Sequence, residues 1–221
     1  MTKPIIIIGA GAIAEVAHYY FTRDGGRDVA MFSVDAAYLK EDSFCGRPVV
    51  AFEELSDRCP PSDYDVFVAL GYAKLNTIRR EKFEASRALG YTMPSYVSSR
   101  ASVLNDGRIG SNCFILEDNT IQPFATIGDN VTLWSGNHIG HHSTIEDHVF
   151  VASHVVVSGN CRVGEASFLG VNATLRDGIE VGARCVVGAG ALLLADAEPE
   201  GVYLGTATER SRVPSSRLRG I

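Results

Sequence analysis

Positive charge is in deficit in this chain. Its 221 residues carry 20 Lys and Arg against 26 Asp and Glu, a net charge of −6. That balance speaks against a nucleic-acid partner, which would call for a basic patch or stripe. Long apolar runs are also missing. The N-terminal run Ile5 to Ile8 leads into a glycine turn and is far too short for a signal-peptide core or a membrane span. Cysteine is scarce and odd in number: Cys45, Cys59, Cys113, Cys161 and Cys185 fit no zinc or redox spacing. These absences predict a cytoplasmic protein with no membrane partner. What remains, 46% hydrophobic and 21% charged, is ordinary for a globular chain and allows a sizeable core in one large or two small domains.

What the sequence has is a period. From Val97 to Leu193 every sixth residue is aliphatic, seventeen positions in phase, among them Ile109, Ile115, Ile121, Ile139, Val157, Leu175 and Val187. Four residues after each stands a small or branched residue such as Ala101, Cys113, Ala125, Cys161 or Cys185. Asn119 and Asn137 break that second pattern. Gly often follows the aliphatic residue, as at Gly110, Gly128, Gly140, Gly164, Gly170, Gly182 and Gly188. A fixed short period decides architecture before local propensity does. Six residues match neither a helix nor a plain alternating strand. They match short parallel strands joined by tight turns, each strand sending one aliphatic side chain inward. Three of the cysteines then sit at inward small positions as buried thiols.

This run resembles the hexapeptide-repeat acyltransferases. The resemblance implies a left-handed parallel β-helix of five to six coils, three hexads to a coil, an exception to the right-handed crossover rule. Residues eighteen apart then stack on neighbouring coils.

Ahead of the repeat, residues 4–8 read as a buried strand, followed by Gly9-Ala10-Gly11 and a helix whose Ile13, Val16, Ala17 and Tyr20 face a sheet. Asp28 to Val34 reads as a second strand closing on Asp35, and Tyr64 to Leu70 as a third. Leu75, Ile78, Ala85 and Leu89 mark the apolar face of a second helix, with Gly90 as its stop. Strands alternating with helices predict a small Rossmann-like parallel α/β domain over residues 1–93. The β-helix follows over 94–205, and a tail over 206–221 carries Arg210, Arg212, Arg217 and Arg219. The stretch Ala195 to Gly201 reads as an acidic loop after the repeat.

Four places offer chemistry. Gly9, Gly11 and Ala14 match G-x-G-x-x-[GA] after a strand, where glycines let a phosphate approach backbone N–H groups at a helix N-terminus. Asp35 is placed to bind a ribose hydroxyl or a base edge. A plain tight turn is the simpler account, and a nicotinamide enzyme the bolder one, though no second catalytic domain follows. Five of the six histidines fall within seventeen residues: His138, His141, His142, His148 and His154. Neutral imidazole suits proton removal from an attacking amine or hydroxyl near pH 7, whereas outward histidines in a repeat are often only solvated. A three-histidine metal site on the same fold competes, but it does not account for the N-terminal domain. Asn119 and Asn137, eighteen apart, form either a structural ladder or contacts to a substrate. Last come the C-terminal coils.

The whole chain is similar to the sugar acetyltransferases of the sialic-acid O-acetyltransferase and bacillosamine N-acetyltransferase type. That resemblance implies acetyl-CoA as acyl donor, no metal, a nucleotide-linked sugar of bacterial surface-glycan synthesis as acceptor, and a homotrimer with its active sites between subunits. By position, Gly9, Ala10, Gly11 and Asp35 meet the sugar nucleotide, with Asn119 and Asn137 near the sugar. His141 is the general base. The family's usual acid after it is His142 here, leaving the orienting role to His142, Glu146 or Asp147. A backbone N–H of the following coils stabilises the oxyanion. Gly170, Asn172, Gly188, Ala189 and Gly205 lie along the pantetheine arm. A sugar-nucleotide-binding scaffold without catalysis is the other reading of the same fold.

Overall fold

In the computed structural model, which describes residues 2–217, the hexads wind into a three-sided column. Each side is a parallel sheet, of four, seven and six strands. Up to Leu193 the pairing is eighteen residues apart: Thr126 faces Thr144, Thr132 faces Phe150, and His138 faces Val156. One aliphatic residue per strand points inward, and Ile115, Ile121, Ile139, Val157, Leu175 and Val187 are fully buried. Each such side chain contributes about 1.5–3 kcal/mol on burial. Cys113, Ala125, Ala173 and Cys185 close the same core. Val97, expected inward, is 36% exposed because its coil ends the column.

Every corner needs a residue in the left-handed region. The three corner series are Asp106, Phe124, His142, Asn160 and Gly178; Asn112, Asn130, His148, Ala166 and Arg184; and Asp118, Gly136, His154, Asn172 and Gly190, all with positive φ. His and Asn tolerate that region better than most residues do. The corners therefore explain three of the clustered histidines before any chemistry is invoked.

The column continues past Leu193. Ala197 bridges to Val181 and Val202 pairs with Val186, sixteen residues on instead of eighteen. The stretch Ala195–Gly201 thus opens a last, shortened coil and is not the loop expected. Its hexad phase is lost with the two missing residues, which hid it from the periodic reading.

The N-terminal part runs β1 (Ile5–Ile8), α1 (Ala12–Arg23), β2 (Val29–Val34), β3 (Ser43–Phe44), β4 (Arg47–Ala51), α2 (Leu55–Arg58), β5 (Asp65–Val68) and α3 (Thr77–Ala88). The sheet order is β3-β4-β2-β1-β5. It is parallel except for β3, which pairs antiparallel with β4. The expected parallel sheet is therefore mixed at its edge. The β3–β4 hairpin escapes a sequence reading because Pro48 interrupts so short a run. Its two-residue turn, Cys45-Gly46, has positive φ at both positions, the geometry that matches strand twist.

Helix α1 buries Ala14, Ala17 and Phe21, with Ile13, Val16 and Tyr20 packed at the margin. Helix α3 differs more. The buried stripe is Arg79, Phe83 and Ser86, not Ile78, Ala85 and Leu89. The reason lies in Arg79, 1% exposed, whose guanidinium donates to the carbonyls of Asn130 and His148 at 2.7 Å each and to Thr132 Oγ1 at 2.8 Å. A fourth bond reaches Asn76 Oδ1 at 3.0 Å. Burial pulls its pKa down to about 9, so it remains charged at neutral pH. The helix thus docks on the column through a charge satisfied by carbonyls.

Beside it, Tyr20, Phe21, Phe67, Tyr96 and Phe114 interlock with centroids 4.8–6.0 Å apart. Tyr72 packs on Phe150 and Phe168. The N-terminal domain therefore covers one face of the column, the seven-stranded one, and the two corners beside it.

Candidate active site

The first group lies at the carboxyl ends of β1 and β2, where open parallel sheets bind ligands. Ile8, Gly9, Ala10, Ser33, Val34, Asp35, Tyr38, Leu70, Ile78 and Lys82 line a cavity of about 270 Å³. Gly9 is required there. Its φ is +121°, and a Cβ would stand 2.9 Å from the Ala69 carbonyl oxygen. Gly11 begins the helix as its N-cap and is outside the lining. Asp35 is ion-paired with Lys82 from α3, and the Lys82 ammonium lies 4.1 Å from the Phe52 ring centroid. Lys82 had no sequence signal: only the docking of α3 brings it to the end of β2.

The second group lies on the column at the vertex opposite the face that the N-terminal domain covers. His141 and His142 are both exposed at this corner. Their Nδ1 atoms are 3.1 Å apart. One must donate and the other accept. With the proton on His141 Nδ1 and the bare nitrogen on His142, His141 Nε2 carries a free lone pair. Two neighbours hold the pair. Gln122 Oε1 accepts the His141 backbone N–H at 2.9 Å. The His142 ring rests on Phe124 at 4.7 Å between centroids. On the next coil Gly159 leaves room for the His141 ring: a Cβ there would come within 2.6 Å of Cε1 and 2.7 Å of Nε2.

The other histidines disperse. His138 is on the adjoining strand. His154 lies over Gly136 at a second corner. His148 is buried at the third, where Asn130 Nδ2 meets its Nδ1 at 2.9 Å, and burial lowers its pKa. Glu146 and Asp147, weighed as orienting acids, are at that third corner too. Glu146 pairs with Arg162, and Asp147 Oδ1 accepts the Asp129 N–H at 2.7 Å. Neither faces His141. Among the described residues, no three His, Cys, Asp or Glu side chains gather as a metal-binding group.

Asn119 and Asn137 are 0% and 1% exposed, inside the coil. Asn119 Nδ2 donates to the carbonyls of Leu116 and Trp134, at 2.9 and 2.8 Å. Asn137 donates to Trp134 O and accepts the Val155 N–H at 2.7 Å. The expectation that they meet a sugar is corrected: they satisfy the backbone of a corner. Gly170 is corrected likewise. It is buried, and a Cβ would come within 2.6 Å of Ala189 N, so coil packing alone demands it. Gly188 and Gly205 continue the same column of glycines. Asn172 and Ala189 are exposed along that corner. In the tail, Arg210, Arg212 and Arg217 are exposed, and Arg219 lies outside the described residues.

Where the domain meets the column, Tyr20 Oη donates to Glu117 Oε2 at 2.5 Å, and Ser135 Oγ donates to Oε1 at 2.7 Å. Burial pushes the Glu117 carboxyl up, but these two bonds outweigh it and hold the pKa low. Burial and the same bond push Tyr20 up to about 12. These groups are occupied in holding the fold.

Comparison with known proteins sets these observations in context. Residues 106–140 and 124–159 match the family described as bacterial transferase hexapeptide (six repeats), and residues 161–195 the hexapeptide repeat of succinyl-transferase. The acetyltransferase domain of PglB from Neisseria gonorrhoeae FA1090 is 25% identical, with a TM-score of 0.81 over 92% of this chain and 97% of that one. PerB from Caulobacter crescentus, solved with CoA and GDP-perosamine, is 24% identical with a TM-score of 0.83 over 93% and 95%, a likeness of fold. WeeI from Acinetobacter baumannii AYE is 19% identical, with a TM-score of 0.66 over 86% and 94%. The left-handed β-helix with an N-terminal α/β domain is thus the architecture of this chain.

Proposed function

We propose that this acyltransferase of the hexapeptide-repeat class transfers an acetyl group from acetyl-CoA to an amine or hydroxyl of a nucleotide-linked sugar for a bacterial surface glycan. The observation that carries the reading is the His141–His142 pair: with the shared proton on His141 Nδ1, His141 Nε2 is left as a base beside Gly159. Nε2 takes the proton of the acceptor as it attacks the thioester carbonyl. The new C–N or C–O bond forms, the C–S bond breaks, and the CoA thiolate takes the proton back from the imidazolium. Cysteine is not the nucleophile in this reading: Cys113, Cys161 and Cys185 are buried in the core, Cys59 is buried in the N-terminal domain, and the exposed Cys45 lies in the β3–β4 turn.

The cavity at Gly9, Ala10 and Asp35 is the place for the nucleotide, its phosphates over the turn that opens α1. Gly11 contributes the N-cap at that turn. The structures solved with acetyl-CoA for the gonococcal domain, and with CoA and a GDP-sugar for the Caulobacter protein, support both ligands. Asn172, Gly188, Ala189 and Gly205 are the remaining candidates for the pantetheine path. The cavity and His141 stand on opposite sides of the column within one chain. That supports a homotrimer in which one subunit's cavity serves a neighbour's His141. Exposed Leu192, Leu194 and Leu204 give such contacts apolar surface. Use of acetyl-CoA and nucleotide sugars agrees with a cytoplasmic location.

Incubation with acetyl-CoA and a panel of UDP- and GDP-linked amino and hydroxy sugars, read by mass spectrometry, tests the reading. An acetylated sugar is the expected product. Sugar-nucleotide binding with no acetylated product from any member would replace it with the non-catalytic scaffold.

A further inference from the structure

Gly159 has a second neighbour. A Cβ placed on it would stand 2.7 Å from His141 Nε2 and 2.8 Å from Asp177 Oδ1. Asp177 is one coil beyond Gly159 and two beyond His141. The two acceptors thus face one another across a bare glycine, too far apart to be a hydrogen-bonded or ion pair in this structure, yet close enough for one bridging atom.

Two aspartates at the same place in their hexads are already engaged. Asp129 Oδ1 accepts the Ser111 N–H, and Asp147 Oδ1 the Asp129 N–H, each at 2.7 Å and each eighteen residues back. Asp177 stands in the same relation to Gly159 but makes no such bond, and its carboxylate has no hydrogen-bond partner among the described residues. It is exposed. The free carboxylate and the free imidazole nitrogen open on the same space.

We propose that Asp177 is a specificity-determining residue that touches the acceptor and selects an amine over a hydroxyl. The inference rests on His141 being the base. Its ground is donor inventory. An attacking atom that approaches Nε2 on the side facing Gly159 lies within hydrogen-bond reach of Oδ1 as well. A hydroxyl has one proton and satisfies one of the two acceptors, leaving the other facing a lone pair. An amine has two protons, and an ammonium three, so nitrogen satisfies both. A carboxylate also draws in the ammonium form that amino sugars carry near neutrality.

The ammonium first loses a proton to solvent by way of His141. The remaining R–NH2, held by one N–H to Oδ1 and the other to Nε2, attacks the acetyl carbonyl. The C–N bond forms while Nε2 takes one N–H proton. Collapse breaks the C–S bond, and the CoA thiolate takes that proton. The products are the acetamido sugar and CoA thiol, and Asp177 remains ionised throughout.

The test uses the full chain, acetyl-CoA, and pairs of UDP-linked and GDP-linked hexoses that differ only in an amine or a hydroxyl at one ring carbon. The reactive amine is expected to exceed its hydroxyl twin in kcat/KM by more than about 100-fold. Asp177→Asn is expected to lower the amine's kcat/KM by about 10- to 100-fold and to raise the hydroxyl twin's, because the amide N–H can meet the lone pair that the carboxylate repels. Asp177→Glu is expected to recover part of the amine's rate. Equal rates for the twins, or an equal fall for both in Asp177→Asn, would overturn the role and leave the acyltransferase reading intact. A change in melting temperature with unchanged selectivity would show Asp177 to be a structural corner residue and overturn it too. Transfer to neither twin at any ring carbon would sink the acyltransferase reading and this inference with it.

Discussion

The Nδ1 atoms of His141 and His142 stand 3.1 Å apart on adjacent residues of one corner. Adjacent side chains in an extended segment point apart. Here His142 is in the left-handed region, with φ of 59°, and its ring turns back toward its neighbour. The bond requires one ring to donate and the other to accept, and the proposed base has His141 Nδ1 as the donor. Replacing His142 with Ala frees the ring to rotate and exchange tautomers. The expected result is a fall of about 10- to 100-fold in kcat with KM nearly unchanged. His142→Gln or His142→Glu, each offering an acceptor oxygen, is expected to restore much of it in steady-state thiol-release kinetics.

Two glycines on neighbouring coils are expected to behave differently. At Gly159 the three atoms nearest an added Cβ are side-chain ends, those of His141 and Asp177. At Gly140 it meets backbone, with Gly159 N and Ser158 C both at 2.5 Å. Gly159→Ala should therefore keep its melting temperature within a few degrees and lose most activity. Gly140→Ala should melt at least about 5 °C lower. Thermal unfolding beside an activity assay separates the two.

Arg79 is the joint between helix α3 and the column. Arg79→Met leaves the Asn130 and His148 carbonyls without this donor in a dry interface. A loss of roughly 3 kcal/mol or more is expected in denaturant unfolding. Arg79→Lys should recover only part, because one ammonium cannot span the guanidinium's partners. A loss under about 1 kcal/mol for Arg79→Met would refute this joint.

The same interface makes stability depend on pH. Burial holds His148 below its usual 6.5, with Arg79 adding to the effect and Asp147, Glu165 and Glu84 opposing it. A histidine depressed in the folded state binds protons more readily when unfolded. Its contribution is complete above about 6.5 and is lost as pH falls through the lower, folded value. Melting temperature is therefore expected to fall as pH drops below about 6.5. His148→Asn keeps the corner conformation and an acceptor for Asn130, and should flatten that part of the curve. An unchanged slope in this variant would assign the pH dependence elsewhere.

The period announced the column, because burying one aliphatic residue per strand imposes it on every coil. It also hid what sits at the corners. Asn119 and Asn137 broke an apolar pattern and so resembled contacts to a ligand, but a corner carbonyl needs a donor from inside. Gly170 looked like a path for a ligand and is a place where two coils touch. Asp177 gave no signal, since thirty-six residues of sequence separate it from His141. Lys82 and Arg79 were hidden for a related reason. Their helix reads as amphipathic about its apolar residues, and only the column beside it supplies the carbonyls that bury a charge instead. The Gly9 turn and Asp35 were legible because strand, turn and helix are consecutive in the chain.

The most direct measurement compares wild-type protein with His141→Ala and His141→Gln for acetyl transfer from acetyl-CoA to the sugar nucleotide found active in the panel, following both thiol release and the acetylated product. The account predicts a fall in kcat of at least about 100-fold in both variants, with sugar-nucleotide affinity retained. Variants that keep wild-type kcat would contradict it and remove His141 from the chemistry.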